Sequence, residues 1–98
     1  MSYSVIVRPE AEEDVESAYR WYQRKSRDRG TYFLRVVRAL LGTIERNPGI
    51  YPKVYQDVHR ALLRGFPYAI YYVEEGDVIH VVACTHTRRH PRRWRSRI

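Results

Sequence analysis

The sequence predicts an α+β domain of order β-α-α-β-β-β(-β), an antiparallel sheet with a two-helix hairpin packed on one face. Three observations predict it. A short β-branched run, YSVIVR at residues 3–8, opens the chain. Two stretches with apolar residues at helical spacing follow, separated by a short break. From residue 51 onward, short alternating runs are punctuated by Gly, Pro and charged turns.

After the first strand, Pro9 stands at the first position of a helix, where its missing N–H does no harm. Glu10, Glu12, Glu13 and Asp14 crowd the first turn, where the helix dipole favours negative charge. That reading is preferred to a catalytic carboxylate pair. Ala11, Val15, Ala18, Tyr19 and Tyr22 form one apolar stripe, and Arg20, Arg24, Lys25 and Arg27 collect toward the C-terminal end. SRDRG, residues 26–30, breaks the pattern. Phe33, Val36, Val37, Leu40, Leu41 and Ile44 form the stronger stripe of a second helix, with Leu40 and Ile44 expected to face the sheet. NPG at residues 47–49 stops it.

The rest reads as β. YPKVY (51–55) is an edge candidate because of Pro52, and HRALLR (59–64) is a better strand. YAIYYV (68–73) and VIHVVACTH (78–86), joined by the turn EEGD, make a hairpin. Strict alternation puts Ile79, Val81 and Ala83 on one side of the last strand, expected to lie under the helices. Val78, His80, Val82, Cys84 and His86 then face outward.

The 98 residues suit one domain, residues 1–98. One cysteine, Cys84, excludes an intrachain disulfide and fits a reducing compartment. No apolar run is long enough to span a membrane and no signal peptide pattern is present, so a cytoplasmic protein without membrane contact is expected. The net charge is +7; sixteen of the eighteen basic residues are arginine, and six of those follow residue 86. Arginine's planar fork matches phosphate and carboxylate. The segment HTRRHPRRW (86–94) is therefore either a solvated tail or a surface that meets something acidic.

No phosphate-binding glycine loop, HExxH or CxxC is present. Cys84, His86 and His90 give C-x-H-x₃-H, but a fourth ligand is missing, so no metal or other cofactor is expected. Nine tyrosines among many arginines are compatible with a small RNA-binding module, though most of those rings suit packing better.

Several stretches in succession carry a resemblance: AYRWY in the first helix, FLRVVRALLGTIERNPGIYP, R-x₅-FPYAIYYV led by Arg60, and the terminal H-x-RR-x-P-x₂-W-x₂-R. In this order they resemble the RelE/ParE superfamily of toxins from type II toxin–antitoxin modules. The likeness implies a growth inhibitor neutralised by a cognate antitoxin in a hetero-oligomer. Two mechanisms occur in that superfamily. Ribosome-dependent nucleases cut mRNA, and an arginine usually opens the strand that here begins at Tyr68. The ParE branch binds and inhibits DNA gyrase. Tyr68 favours the ParE-like branch. A cutting site, if present, would be assembled from His86, Arg60, Arg64, Lys53 and Tyr68, with His86 as acid or base. Contacts to the target or antitoxin would fall on Arg88, Arg89, Arg92, Arg93, Trp94 and Arg97.

Overall fold

The computed structural model describes residues 3–98. Strand β1 (Ser4–Val7) leads into α1 (Pro9–Lys25) and α2 (Arg27–Arg46), and a 3₁₀ turn at Pro48–Ile50 follows. Then come β2 (Lys53–Tyr55), β3 (Val58–Leu62), β4 (Tyr68–Glu75), β5 (Val78–His86) and a short α3 (Arg92–Arg95). One five-stranded sheet runs β1-β5-β4-β3-β2. The two long helices cover one face, as the apolar stripes predict. No helix among the described residues is long and apolar enough to cross a membrane.

The sheet is mixed rather than antiparallel throughout. β2 to β5 pair antiparallel, whereas β1 lies parallel to β5 with Ser4 opposite Val78. Hairpin chemistry specifies only neighbours joined by short turns, such as β4 and β5 around Gly76, whose φ of +63° suits glycine. β1 is separated from the other strands by two helices, so no turn residue announces its partner or direction.

The helix break is also tighter than SRDRG suggests. Only Ser26 is extended, and α2 begins at Arg27. Gly30 lies inside α2 and permits close approach of the helices: a Cβ there would sit 3.0 Å from Gln23 Cβ and 3.1 Å from Gln23 Cα.

Two cores result. The larger, between helices and sheet, holds Phe33, Ile44, Tyr72, Ile79 and Val81. Of the predicted α2 stripe, Phe33, Val37 and Ile44 are buried, while Leu40 is only partly buried at its edge. The smaller core lies on the opposite face, where α3 folds back and inserts Trp94 against Tyr71 and Val82. The arginine-rich terminus is thus an arm docked on the sheet.

The expected alternation along β5 holds for Ile79 and Val81 and fails beyond them. Tyr71 pairs with Ala83 but Tyr72 pairs with Val81, which leaves Val82 as the extra residue of a β-bulge. Val82 and Ala83 both join the small core. Cys84 joins the large one, and His86 packs on Tyr68 on that same side. The bulge therefore turns Cys84 and His86 from the predicted outer face to the helix face.

Candidate functional site

The bulge also sets the ends of a hydrogen-bonded staple. Beyond Val7 the edge of β5 has no strand neighbour among the described residues, and α1 runs along it instead. Asp14 on α1 accepts the Cys84 backbone N–H at 3.0 Å and both terminal nitrogens of Arg97, at 2.6 and 3.2 Å. Arg97 also donates to the Val82 carbonyl at 3.1 Å. Its hydrogen bond to Asp14 raises the Arg97 pKa, against the opposing effect of burial. Arg97 is therefore engaged within the fold. Trp94 likewise is buried, stacked on Tyr71 with ring centroids 4.4 Å apart.

Tyr68 and His86 are brought together. They are opposite each other in the β4–β5 ladder, with ring centroids 5.3 Å apart. Tyr68 also meets Tyr22 and Phe33 edge-on. Burial, and then Cys84, push the Tyr68 phenol up, while Arg89 works the other way. His86 Nδ1 accepts the Arg88 backbone N–H at 3.1 Å, so in the neutral ring the proton sits on Nε2. Burial and the neighbouring Asp14 push the Cys84 thiol up to about 12, which keeps it a thiol. Among the described residues no three His, Cys, Asp or Glu side chains gather as a metal-binding group.

The cleft between α1 and the ends of β4 and β5 is lined by Ser17, Trp21, Arg24, Tyr68, His86 and Arg89. Arg88, Arg89, Arg92 and Arg93 are exposed and make no ion pair among the described residues. Their charge is available to a partner.

The remaining candidates lie elsewhere. Lys53 on β2 pairs with Asp57 at 3.3 Å and is aligned with His59, with β3 and β4 between its strand and that of His86. Arg60 is exposed opposite Tyr71, the residue that Trp94 covers on the far face. Arg64 lines a separate groove with Val36, Leu40 and Leu62. Tyr68 and His86 thus stand together without Lys53, Arg60 or Arg64 in their cleft.

Sequence reading missed Trp21, Ser17 and Thr85 as site-lining residues, and it treated Asp14 as one acid among several. A cue for Asp14 was present. It stands three residues after Ala11 and four before Ala18, on the buried face of α1, while Glu10, Glu12, Glu13 and Glu16 are exposed.

Comparison with known proteins bears on this arrangement. A family model described as the ParE toxin of type II toxin-antitoxin system, parDE, matches residues 5–91. A solved structure described as the chromosomal ParDE TA system from P. aeruginosa is similar in fold, with a TM-score of 0.65 at 14% identity. The match covers 86% of this chain and 95% of that one. No curated protein sequence matches.

Proposed function

The chain belongs to the ParE toxin family of type II toxin–antitoxin systems, and from that premise we propose that it arrests growth by binding and inhibiting DNA gyrase in the cytoplasm, with no chemistry of its own. The observation that carries this reading is the scatter of the residues a nuclease would need. Tyr68 stands where the cutting branch of the superfamily usually has arginine, and its ring is packed edge-on against Tyr22 and Phe33. Lys53 is paired with Asp57, and Arg60 is across from Tyr71. General acid–base catalysis needs its groups within hydrogen-bond reach of one reacting centre.

A cognate antitoxin neutralises the toxin in a hetero-oligomer. Its binding segment orders on contact, so it needs apolar area as well as charge. The exposed arginines of the C-terminal arm, Arg88, Arg89, Arg92 and Arg93, supply positive charge for acidic residues. The groove of about 380 Å³ lined by Val36, Leu40, Tyr51 and Leu62 supplies apolar surface, with Leu62 57% exposed.

The test is to add the purified chain to a gyrase supercoiling assay and to follow translated mRNA in cells that express it. Inhibited supercoiling that the antitoxin relieves, with translated mRNA left intact, supports the proposal. Prompt mRNA cleavage that is abolished by His86→Ala would replace it with a ribosome-dependent nuclease. A chain that arrests nothing would favour a plain RNA-binding module.

A further inference from the structure

The cleft beside α1 has two connected parts that suit two parts of one ligand. The inner part is a cavity of about 50 Å³, lined by Ser17, Thr85, His86, Arg89 and Arg93 among others. The outer part, about 370 Å³, is walled by Trp21, Tyr22, Pro67 and Tyr68 and includes Arg24. Ser17, Tyr68, His86 and Arg89 line both, so the parts are continuous.

We infer that this cleft binds a nucleotide, with its phosphate monoester in the inner cavity and its base in the outer, aromatic part. The donor set argues for phosphate over carboxylate. Arg89 and Arg93 bring two positive charges with no ion-pair partner among the described residues. A phosphate monoester carries a charge of about −1.5 to −2 near neutrality and offers three acceptor oxygens. The one acid in the inner cavity does not repel it as a bare charge, because both Asp14 oxygens are taken by Arg97 and one also by the Cys84 N–H. His86 presents an N–H from Nε2, since its Nδ1 is engaged by Arg88. In the outer part Trp21 is 47% exposed, with the Lys25 ammonium 4.9 Å from its ring centroid, and its indole offers a surface on which a base can stack.

The inference is independent of gyrase inhibition, and its test reads binding alone. The full chain is titrated with AMP, adenosine, inorganic phosphate and a dinucleotide with or without a 5′-phosphate, by calorimetry and by Trp21 fluorescence with Trp21→Phe as control. AMP is expected to bind at least about tenfold more tightly than adenosine, the effect of one charge-assisted contact. The double variant Arg89→Gln, Arg93→Gln, at exposed positions, should keep the wild-type melting temperature and lose that preference. Trp21→Ala should weaken AMP and leave inorganic phosphate unchanged. Tighter binding of the 5′-phosphorylated dinucleotide than of AMP assigns the site to a strand end, and the reverse order to a free nucleotide. Equal binding of AMP and adenosine overturns the inference, as does AMP binding that survives the double variant. A glutamate-rich peptide that binds the cleft more tightly than AMP overturns it in favour of a protein partner.

Discussion

Asp14 and Arg97 lie 83 positions apart in sequence and form a two-pronged ion pair at 2.6 and 3.2 Å, with Asp14 side-chain exposure of 7%. The pair links the first helix to the last residues of the chain across a β-bulge. Such a pair matters chiefly when one half is removed, because the other is left buried and unpaired. Arg97→Ala and Asp14→Asn are each expected to cost about 3 kcal/mol, at the lower end for a stranded charge because Arg97 keeps some solvent. Urea denaturation measures it. A double variant no worse than either single one is the expected mark of direct coupling.

The same relationship shows what could and could not be read in the sequence. Element order and both helix stripes were legible, because they rest on periodicity and on turn residues. The bulge at Val82 was not, because every residue from Val78 to Cys84 except His80 is apolar or small, so a one-residue slip leaves the pattern intact. That slip decides which face His86 occupies. The parallel pairing of β1 was hidden for a different reason, since its partner lies more than seventy residues away. In the terminal arm, charge masked packing: Trp94 and Arg97 are held by Tyr71 and Asp14, and nothing local to HTRRHPRRW reveals those contacts.

Within the helix hairpin, Phe33 is fully buried against Tyr22, Phe66 and Tyr68, whereas Leu40 sits at the edge of the core. Phe33→Ala is therefore expected to destabilise by about 3–5 kcal/mol, and Leu40→Ala by less than the roughly 2–5 kcal/mol of a fully buried leucine. Thermal unfolding of the two variants side by side checks the order. A greater loss at Leu40 would mean that α2 is rotated from the orientation described.

Tyr72 donates its buried hydroxyl to the Pro48 carbonyl at 2.5 Å and stacks on His59, so it ties the end of α2 to the middle of the sheet. Tyr72→Phe keeps the ring and strands the carbonyl. The expected loss is about 1–3 kcal/mol, the range for leaving a buried acceptor unmade. Hydrogen exchange should quicken in the Pro48–Ile50 turn while β5 stays protected.

Stability should fall on the alkaline side in a way that Cys84 explains. Its thiol is raised in the folded state from 9.0 to about 12. A raised value means that the contribution is complete below pH 9 and is lost as pH climbs toward 12, because the unfolded chain gives up a proton that the folded chain keeps. The ordinary value of the raised tyrosines is 10.0, so Cys84 leads the decline. Denaturation midpoints measured from neutral pH upward should drop less steeply in Cys84→Ala than in the wild type. Parallel slopes would sink the assignment.

The C-terminal arm holds two kinds of residue that composition alone does not separate. Trp94 is 4% exposed and fills the smaller core, so Trp94→Ala is expected to cost about 3–5 kcal/mol. Arg88 and Arg92 are exposed and unpaired among the described residues, and alanine there should change stability by no more than about 0.5 kcal/mol. The order reverses for function if the arm meets the target or the antitoxin through its free arginines. Arg88→Ala with Arg92→Ala should then blunt growth arrest, or weaken antitoxin binding, in a protein that melts like the wild type. Trp94→Ala, kept folded by lower temperature, should lose activity only as far as it loses structure. If the arginine variants arrest growth and bind antitoxin at wild-type strength, the positive charge of the arm serves neither contact, and the binding face must be sought along α2 and Leu62.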